Sequence, residues 1–290
     1  MPKTPSIALA TCRVLPEPDP DETLLVSALR AAGADARMLP WDHNGNAPAA
    51  ADFDLCVLRS TWNYYHAPAA FRDWLHRTAA ATHLLNPLPV IEWNLHKQYL
   101  RDLEHAGVHI VPTAWVERGQ PVDLHSLLYE RAWSAVVIKP AVSAGSHRTH
   151  RFTRSDIAAG QQCLDGLAAD ADVMIQPYLR RVESGGERAL IWIDGAFTHA
   201  VTKSPRFADG VESVSAATPL TDAERAFGVQ VIAAAPHADS LLYARVDTML
   251  DDEGRLRLSE LELIEPSLFL LQHPPALERF VAAICTRCRP

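Results

Sequence analysis

Cysteine is scarce in this chain, five in 290 residues. So low and odd a count argues against a disulfide-built fold and for a reducing, cytoplasmic setting. Cys285 and Cys288 make one CxxC, and without a second pair it is a poor zinc site. No apolar run approaches the length of a membrane span. The opening MPKTPS passes straight into IALATC with no signal-peptide core. No Lys/Arg run is present and the formal net charge is −8, which argues against a nucleic-acid partner. The phosphate signatures GxxxxGK[ST] and GxGxxG are missing. So are G-x-S-x-G and a convincing Cys/His pair, the marks of a covalent nucleophile. There is no internal repeat and no low-complexity tail.

What is present is an ordinary enzyme composition, 48% hydrophobic and 21% charged, long enough for about two domains. Residues 1–93 alternate strand and helix. IALATC, DARMLPW and FDLCVLRS are strands; a helix capped by Asp21 or Thr23 ends at Gly33, and Pro68 opens another. This rhythm predicts a small parallel sheet with helices on its faces. Ligands gather at the C-terminal ends of such strands. There the loop Arg59, Ser60, Thr61, Trp62, Asn63, Tyr64, Tyr65, His66 offers a cation, hydroxyls, an amide and aromatic faces; alternatively its aromatics pack the loop itself.

Asn86-Pro87-Leu88-Pro89 is a stiff connector. A helix is expected over 91–107, with Leu95, Tyr99, Leu100 and Leu103 on one face and Lys97 early in it. The run 133–140 ends in Lys139 and Pro140, and a lysine at the end of a buried strand suggests a held charge such as phosphate. The small-residue loop with Ser143, Gly145 and Ser146 can turn N–H groups toward phosphate oxygens. His147 and His150 read as surface histidines. A strand at 173–179 is interrupted by Pro177. The Pro177 carbonyl and the Leu179 N–H would suit the amino edge of adenine, or the strand is simply an edge ended by proline. Asp194-Gly195 predicts a hairpin leading to Lys203, and Thr221 with Glu224 a capping box.

The stretch YARVDTMLDDEGRLRLSELEL (243–263) has the strongest pattern. Two alternating runs flank Asp251-Asp252-Glu253-Gly254. A loop of two or four residues sets Arg255 opposite Leu250 and Glu260 opposite Arg245. Arg245, Asp247, Glu260 and Glu262 then share one face, and Ala244, Val246, Leu261 and Leu263 the other. Three carboxylates on one face need positive charge among them, and Mg²⁺ suits hard oxygen donors. A solvated edge hairpin is the alternative, and a three-residue loop would put the acids on the apolar face.

These pieces, in this order, resemble the ATP-grasp superfamily, the fold of D-alanine–D-alanine ligase and glutathione synthetase. The resemblance spans the chain and is carried by HKQYLRDLEHAGVHIVPT, VVIKPAVSAGSH, MIQPYL and ARVDTMLDDEGRLRLSELELIEPS. RSTWNYYH and VIKPAVSAGSH further resemble a subgroup containing the cycloserine-forming O-ureido-serine cyclo-ligase, and so antibiotic biosynthesis. The resemblance implies an α/β fold in three parts. These are an N-terminal parallel α/β domain (1–93), a lid subdomain (110–180), and a mostly antiparallel ATP-grasp domain (94–109 and 181–290). It implies ATP, with two Mg²⁺ ions. Lys97 and Lys139 resemble the nucleotide lysines, Ser143, Gly145 and Ser146 the phosphate loop, and Gln176, Pro177, Tyr178 and Leu179 the adenine hinge. Glu187, or less closely Glu183, resembles the ribose acid. Asp247, Glu260 and Glu262 resemble the metal ligands, although many members carry asparagine where this chain has Glu262. Arg245, with Lys203 nearby, resembles the cation that steadies an acyl phosphate. The implied reaction is carboxylate activation by ATP followed by attack of a nitrogen, within one amino-acid-like substrate or between two. The rival readings are a metal-dependent hydrolase and a non-catalytic nucleotide-binding protein. A homo-oligomer is left open.

Overall fold

The computed structural model describes residues 3–43, 49–204 and 213–288. Strand β1 (Ser6–Thr11), helix α1 (Pro20–Ala31), β2 (Asp35–Pro40), β3 (Leu55–Ser60), α2 (Pro68–Ala81) and β4 (His83–Leu85) build the first layer. Its four strands are parallel, in the order β2-β1-β3-β4, as the strand–helix rhythm predicts. Next come α3 (Leu88–Asn94), α4 (Tyr99–His105), β5 (Ala114–Val116), α5 (Leu124–Glu130), β6 (Ala135–Pro140), β7 (His150–Thr153), α6 (Ile157–Ala168) and β8 (Val173–Pro177). The last four strands among these form an antiparallel sheet, β5-β8-β6-β7. The rest is α7 (Val182–Gly185), β9 (Glu187–Ile193), β10 (Ala196–Lys203), α8 (Asp222–Ala234), β11 (Tyr243–Leu250), β12 (Leu256–Glu262) and α9 (Pro274–Arg287). Its sheet is antiparallel, β10-β9-β11-β12. Among the described residues no helix is long and apolar enough to cross a membrane.

Alternation along each strand decides what packs where. Ile7, Leu9 and Val57 bury one face of the parallel sheet against Ile191, Tyr243 and Phe280. Ala8, Cys56 and Leu58 bury the other against Phe71, Trp74 and Leu75 of α2. Ala244, Val246, Leu261 and Leu263 meet Tyr99, Leu100 and Leu103 behind the third sheet. The outer edge of β12 is closed at Leu258 by the backbone of 109–111 and beyond it by side chains. Asn94 gives its amide N–H to the Leu261 carbonyl (2.8 Å) and accepts from Leu263 N–H (2.9 Å). The Tyr99 hydroxyl accepts from Leu261 N–H (3.0 Å). Asn86 bridges Tyr243, Leu263 and Leu242 in the same way.

Several local expectations are corrected. Helix α1 is capped by Asp19, which accepts from Asp21 N–H, not by Asp21 or Thr23. Asp21 is instead buried and accepts from the N–H groups of Leu270 and Leu271. The helix expected over 91–107 is two helices. Lys97 lies in the break, where its N–H goes to the Ala141 carbonyl (2.8 Å) and so leaves the helical ladder. The strand after Gly107 starts late: Ile110 makes a lone bridge to Leu258, and β5 begins at Ala114. His147 is no free surface residue, because its ring packs on Tyr65 (4.5 Å). Residues 204–218 read as a loop carrying Gly210, and Gly210 lies outside the described residues.

The hairpin register is also different. Leu250 pairs with Leu256, so the loop has an odd length, which alone would turn the acids onto the apolar face. A bulge between Asp247 and Thr248 leaves Ser259 as the extra residue and restores the parity. Arg245 therefore faces Glu262, and Asp247 faces Glu260, two positions from the expected pairing.

Candidate active site

The three sheets enclose a cleft of about 380 Å³. Its floor is the charged face of the β11–β12 hairpin, with Arg245, Asp247, Glu260 and Glu262. Lys203 reaches it from the end of β10 and Lys97 from the helix break. Lys139 enters from β6, where alternation turns it away from the buried Val136 and Ile138. Ser143, Gly145 and Ser146 form one rim, with Gly145 and Ser146 both left-handed (φ 58° and 59°). Residues Gln176, Pro177, Tyr178 and Leu179 form another part of the wall. Tyr178 N–H makes the last rung to Ala135 (2.9 Å), and alternation turns the Pro177 carbonyl and the Leu179 N–H toward the opposite edge.

The charges on the floor are paired. Lys203 Nζ lies 2.7 Å from Asp247 and 3.0 Å from Glu187. Arg245 holds Asp247 through two nitrogens (2.9 Å each) and also donates to Glu262. Lys97 donates to Glu260 and to the Ser143 carbonyl (3.0 Å). Burial opposes the charge on Asp247, but Arg245 and Lys203 outweigh it and hold the carboxyl below its ordinary range. Lys97 and Lys139 do the same for Glu260 against its burial. Glu262 is pushed up to about 7, by burial first and by Asp247 and Glu260, with Arg245 pulling the other way. Burial lowers Lys139, whose side chain has no hydrogen bond or ion pair among the described residues.

Among the described residues, no three His, Cys, Asp or Glu side chains already converge as a metal cage. Each acid of the floor is turned to a cation instead. The donor set nonetheless fits Mg²⁺: three carboxylates from paired strands, all facing the cleft, with hard oxygens only.

The two candidate ribose acids separate. Glu187 lines the cleft and accepts from the Ser259 hydroxyl. Glu183 is exposed, bonded to the Tyr178 hydroxyl (2.9 Å), outside the cleft lining. The 59–66 loop is only partly at the cleft. Arg59 is 2% exposed, donates to the Pro266 carbonyl (3.2 Å) and packs on Tyr243 and Phe280. The Ser60 hydroxyl goes to Thr11 (2.8 Å), and Thr61 is buried. Asn63 bridges Trp41 and Asp42. These four support the loop from beneath, because the end of β3 is covered by the 264–267 segment. Trp62 does line the cleft, as do Tyr64 and Tyr65 of the same loop. Sequence reasoning missed Glu265, a cleft-lining acid whose one signal was its place in the otherwise apolar run LIEPSLF.

Three sheets arranged around one charged cleft define the class of fold, that of the ATP-grasp ligases. D-alanine–D-alanine ligase from Bacillus anthracis, in complex with ATP, superposes with a TM-score of 0.67 at 16% identity, over 98% of this chain and 97% of that one. More specific matches follow. The model of the D-cycloserine synthetase DcsG N-terminal domain matches residues 7–86. The cycloserine biosynthesis protein DcsG of Streptomyces lavendulae is 30% identical over 298 residues, 98% of this chain and 99% of that protein. The crystal structure of D-cycloserine synthetase DcsG superposes with a TM-score of 0.89 at 29% identity, over 98% and 100% of the two chains. The chain belongs to the DcsG family of ATP-grasp ligases, enzymes that form an amide-type bond at the expense of ATP. The hydrolase reading has no support among these relatives.

Proposed function

We propose that this protein uses ATP and Mg²⁺ to activate the carboxylate of a small amino-acid-like substrate, whose own nitrogen then closes a ring, as the DcsG relatives' name implies for cycloserine. The observation that carries the reading is the convergence of Lys97, Lys139, Lys203 and Arg245 with Asp247, Glu260 and Glu262 on one cleft. Phosphoryl transfer asks mainly for positioning and neutralisation of charge.

In this reading the parts correspond to three domains: 1–93, the lid 110–180, and 94–109 with 181–290. The adenine lies along Gln176, Pro177, Tyr178 and Leu179, with the Pro177 carbonyl and Leu179 N–H as its hydrogen-bonding pair. Glu187 accepts from the ribose. Lys139, partnerless among the described residues, meets the phosphates, with the Ser143, Gly145 and Ser146 loop above them. Asp247, Glu260 and Glu262 hold Mg²⁺, which when bound neutralises phosphate charge. Arg245 and Lys203 steady the acyl phosphate while the nitrogen attacks the acyl carbon and phosphate departs. The Tyr65–His147 contact ties the phosphate loop to the 59–66 loop and helps exclude water from that mixed anhydride.

The test is ADP release by the purified protein with ATP, Mg²⁺ and O-ureido-D-serine, with the cyclic product read by mass spectrometry. Release that depends on the carboxylate and yields the ring supports the reading. ADP release without a ring, restored by adding an external amine, would make the ligation intermolecular; no release with any amino acid would sink it.

A further inference from the structure

Two titratable side chains that line the cleft, one basic and one acidic, have no counter-charge bonded to them among the described residues. One is Lys139, already placed at the nucleotide phosphates. The other is Glu265, 7% exposed and lining the cleft. The other acids of the floor are held: Glu260 by Lys97, Glu262 by Arg245, Asp247 by Lys203 and Arg245, Glu187 by Lys203. The field of Lys97 and of Arg245 reaches Glu265, but neither is bonded to its carboxyl. A buried carboxyl left this way costs free energy unless something arrives to meet it.

The backbone around it is fixed with unusual completeness. The carbonyls of four successive residues are each taken by a side chain from elsewhere. Ile264 receives the Tyr243 hydroxyl (2.6 Å), and Glu265 the Trp62 indole N–H (2.9 Å). Pro266 receives Arg59 (3.2 Å), and Ser267 receives Arg245 (3.4 Å). The carboxyl is thus presented by a braced segment, as a recognition group has to be. Its aromatic neighbours on the cleft are Trp62 and Tyr64, whose ring faces favour a cation.

We propose that Glu265 is a specificity-determining residue that binds the ammonium group of the amino-acid substrate, with Arg59 and Trp62 as the positioning residues that aim it. The proposal rests on the ligase reading above and names the substrate feature that reading leaves open. Substrate carboxylate and substrate ammonium then have separate receivers. Arg245 and the metal site take the first, and Glu265 takes the second, on the side of the cleft built by Trp62. Burial, and after it the Glu262 carboxylate, push Glu265 up to about 8, as suits an acid still waiting for its cation.

The experiment compares O-ureido-D-serine with 3-(ureidooxy)propanoate, the same molecule without its amino group. Binding is measured by calorimetry in the presence of Mg²⁺ and a non-hydrolysable ATP analogue, and turnover by ADP release, for wild type and Glu265→Gln. Wild type should prefer the amino compound by roughly 10- to 100-fold, the range for a hydrogen bond to a charged group. Glu265→Gln should remove that preference while ATP affinity and the handling of the des-amino compound stay within about threefold. Preference in binding without turnover would overturn the ligation reading and keep this assignment. Turnover with no preference, or with a preference unchanged in Glu265→Gln, would overturn this assignment and keep the ligation reading. Neither binding preference nor turnover would overturn both. An equal loss on both compounds with a raised Mg²⁺ requirement would place Glu265 in the metal shell and overturn the assignment.

Discussion

Lys97 and Glu260, 163 positions apart in the chain, form an ion pair on the floor of the cleft. The pair stands where the nucleotide reading needs a metal ligand and a phosphate cation, so ligand binding has to exchange one partner for another. Glu260→Gln keeps an acceptor for Lys97 but loses the charge that meets Mg²⁺. Turnover should fall by 100-fold or more, roughly, since charge stabilisation at such sites is of that order. Circular dichroism and Tm should stay near wild type. A variant with normal turnover would remove Glu260 from the metal site.

Lys139 gives the complementary case. Its side chain has no hydrogen bond or ion pair among the described residues, so its loss should cost little stability. Lys139→Ala should weaken binding of a non-hydrolysable ATP analogue by about 1.5–3 kcal/mol, the range for hydrogen bonds to charged groups. Calorimetry reads this directly, and unchanged affinity would move the phosphates elsewhere.

Asp251 anchors the hairpin loop. It accepts from Arg255 N–H (2.8 Å), Glu253 N–H (3.1 Å), and the Arg255 and Arg257 side chains (2.9 Å each). Burial opposes its charge, but these bonds prevail and hold it down at about 2, against an ordinary 3.8. A carboxylate depressed in the folded state contributes stability above its unfolded pKa and loses it as pH falls through the folded one. Asp251→Asn should therefore lower stability at pH 7 by about 1–3 kcal/mol. The gap to wild type should close between about pH 4 and pH 2 in urea unfolding. A gap that persisted at pH 2 would mean the bonds do not depend on the charge.

Arg59 was a candidate substrate residue by sequence and is a brace in the structure. Arg59→Ala should lower the stability by about 1.5–3 kcal/mol, because a buried charged donor to Pro266 is lost. Differential scanning calorimetry should show the drop in Tm. Any loss of kcat/KM should be matched by Trp62→Phe, which removes the neighbouring bond to Glu265. An Arg59→Ala protein with wild-type Tm and a selective substrate defect would return Arg59 to the pocket.

Local pattern was enough for much of this protein. Alternation in 243–263 put Arg245 with Asp247 on one face of their strand and Glu260 with Glu262 on one face of theirs, because side-chain direction on a strand has period two. The strand–helix rhythm of 1–93 gave the parallel sheet, and the order of the lysines, the proline hinge and the acids gave the ATP-grasp resemblance that the relatives bear out. What the tertiary structure decided was which group stands across from which. The odd loop after Leu250 would have reversed the hairpin's faces, and only the bulge at Ser259 kept them. Lys97 faces the floor because its helix breaks to bond Ala141, just past the end of β6. Folding also buried Arg59 and set Glu265 on the cleft: four side chains from distant strands and loops tie down the 264–267 carbonyls. Periodicity is a property of neighbours along the chain, whereas the pairing and burial of a charge depend on residues that only folding brings near.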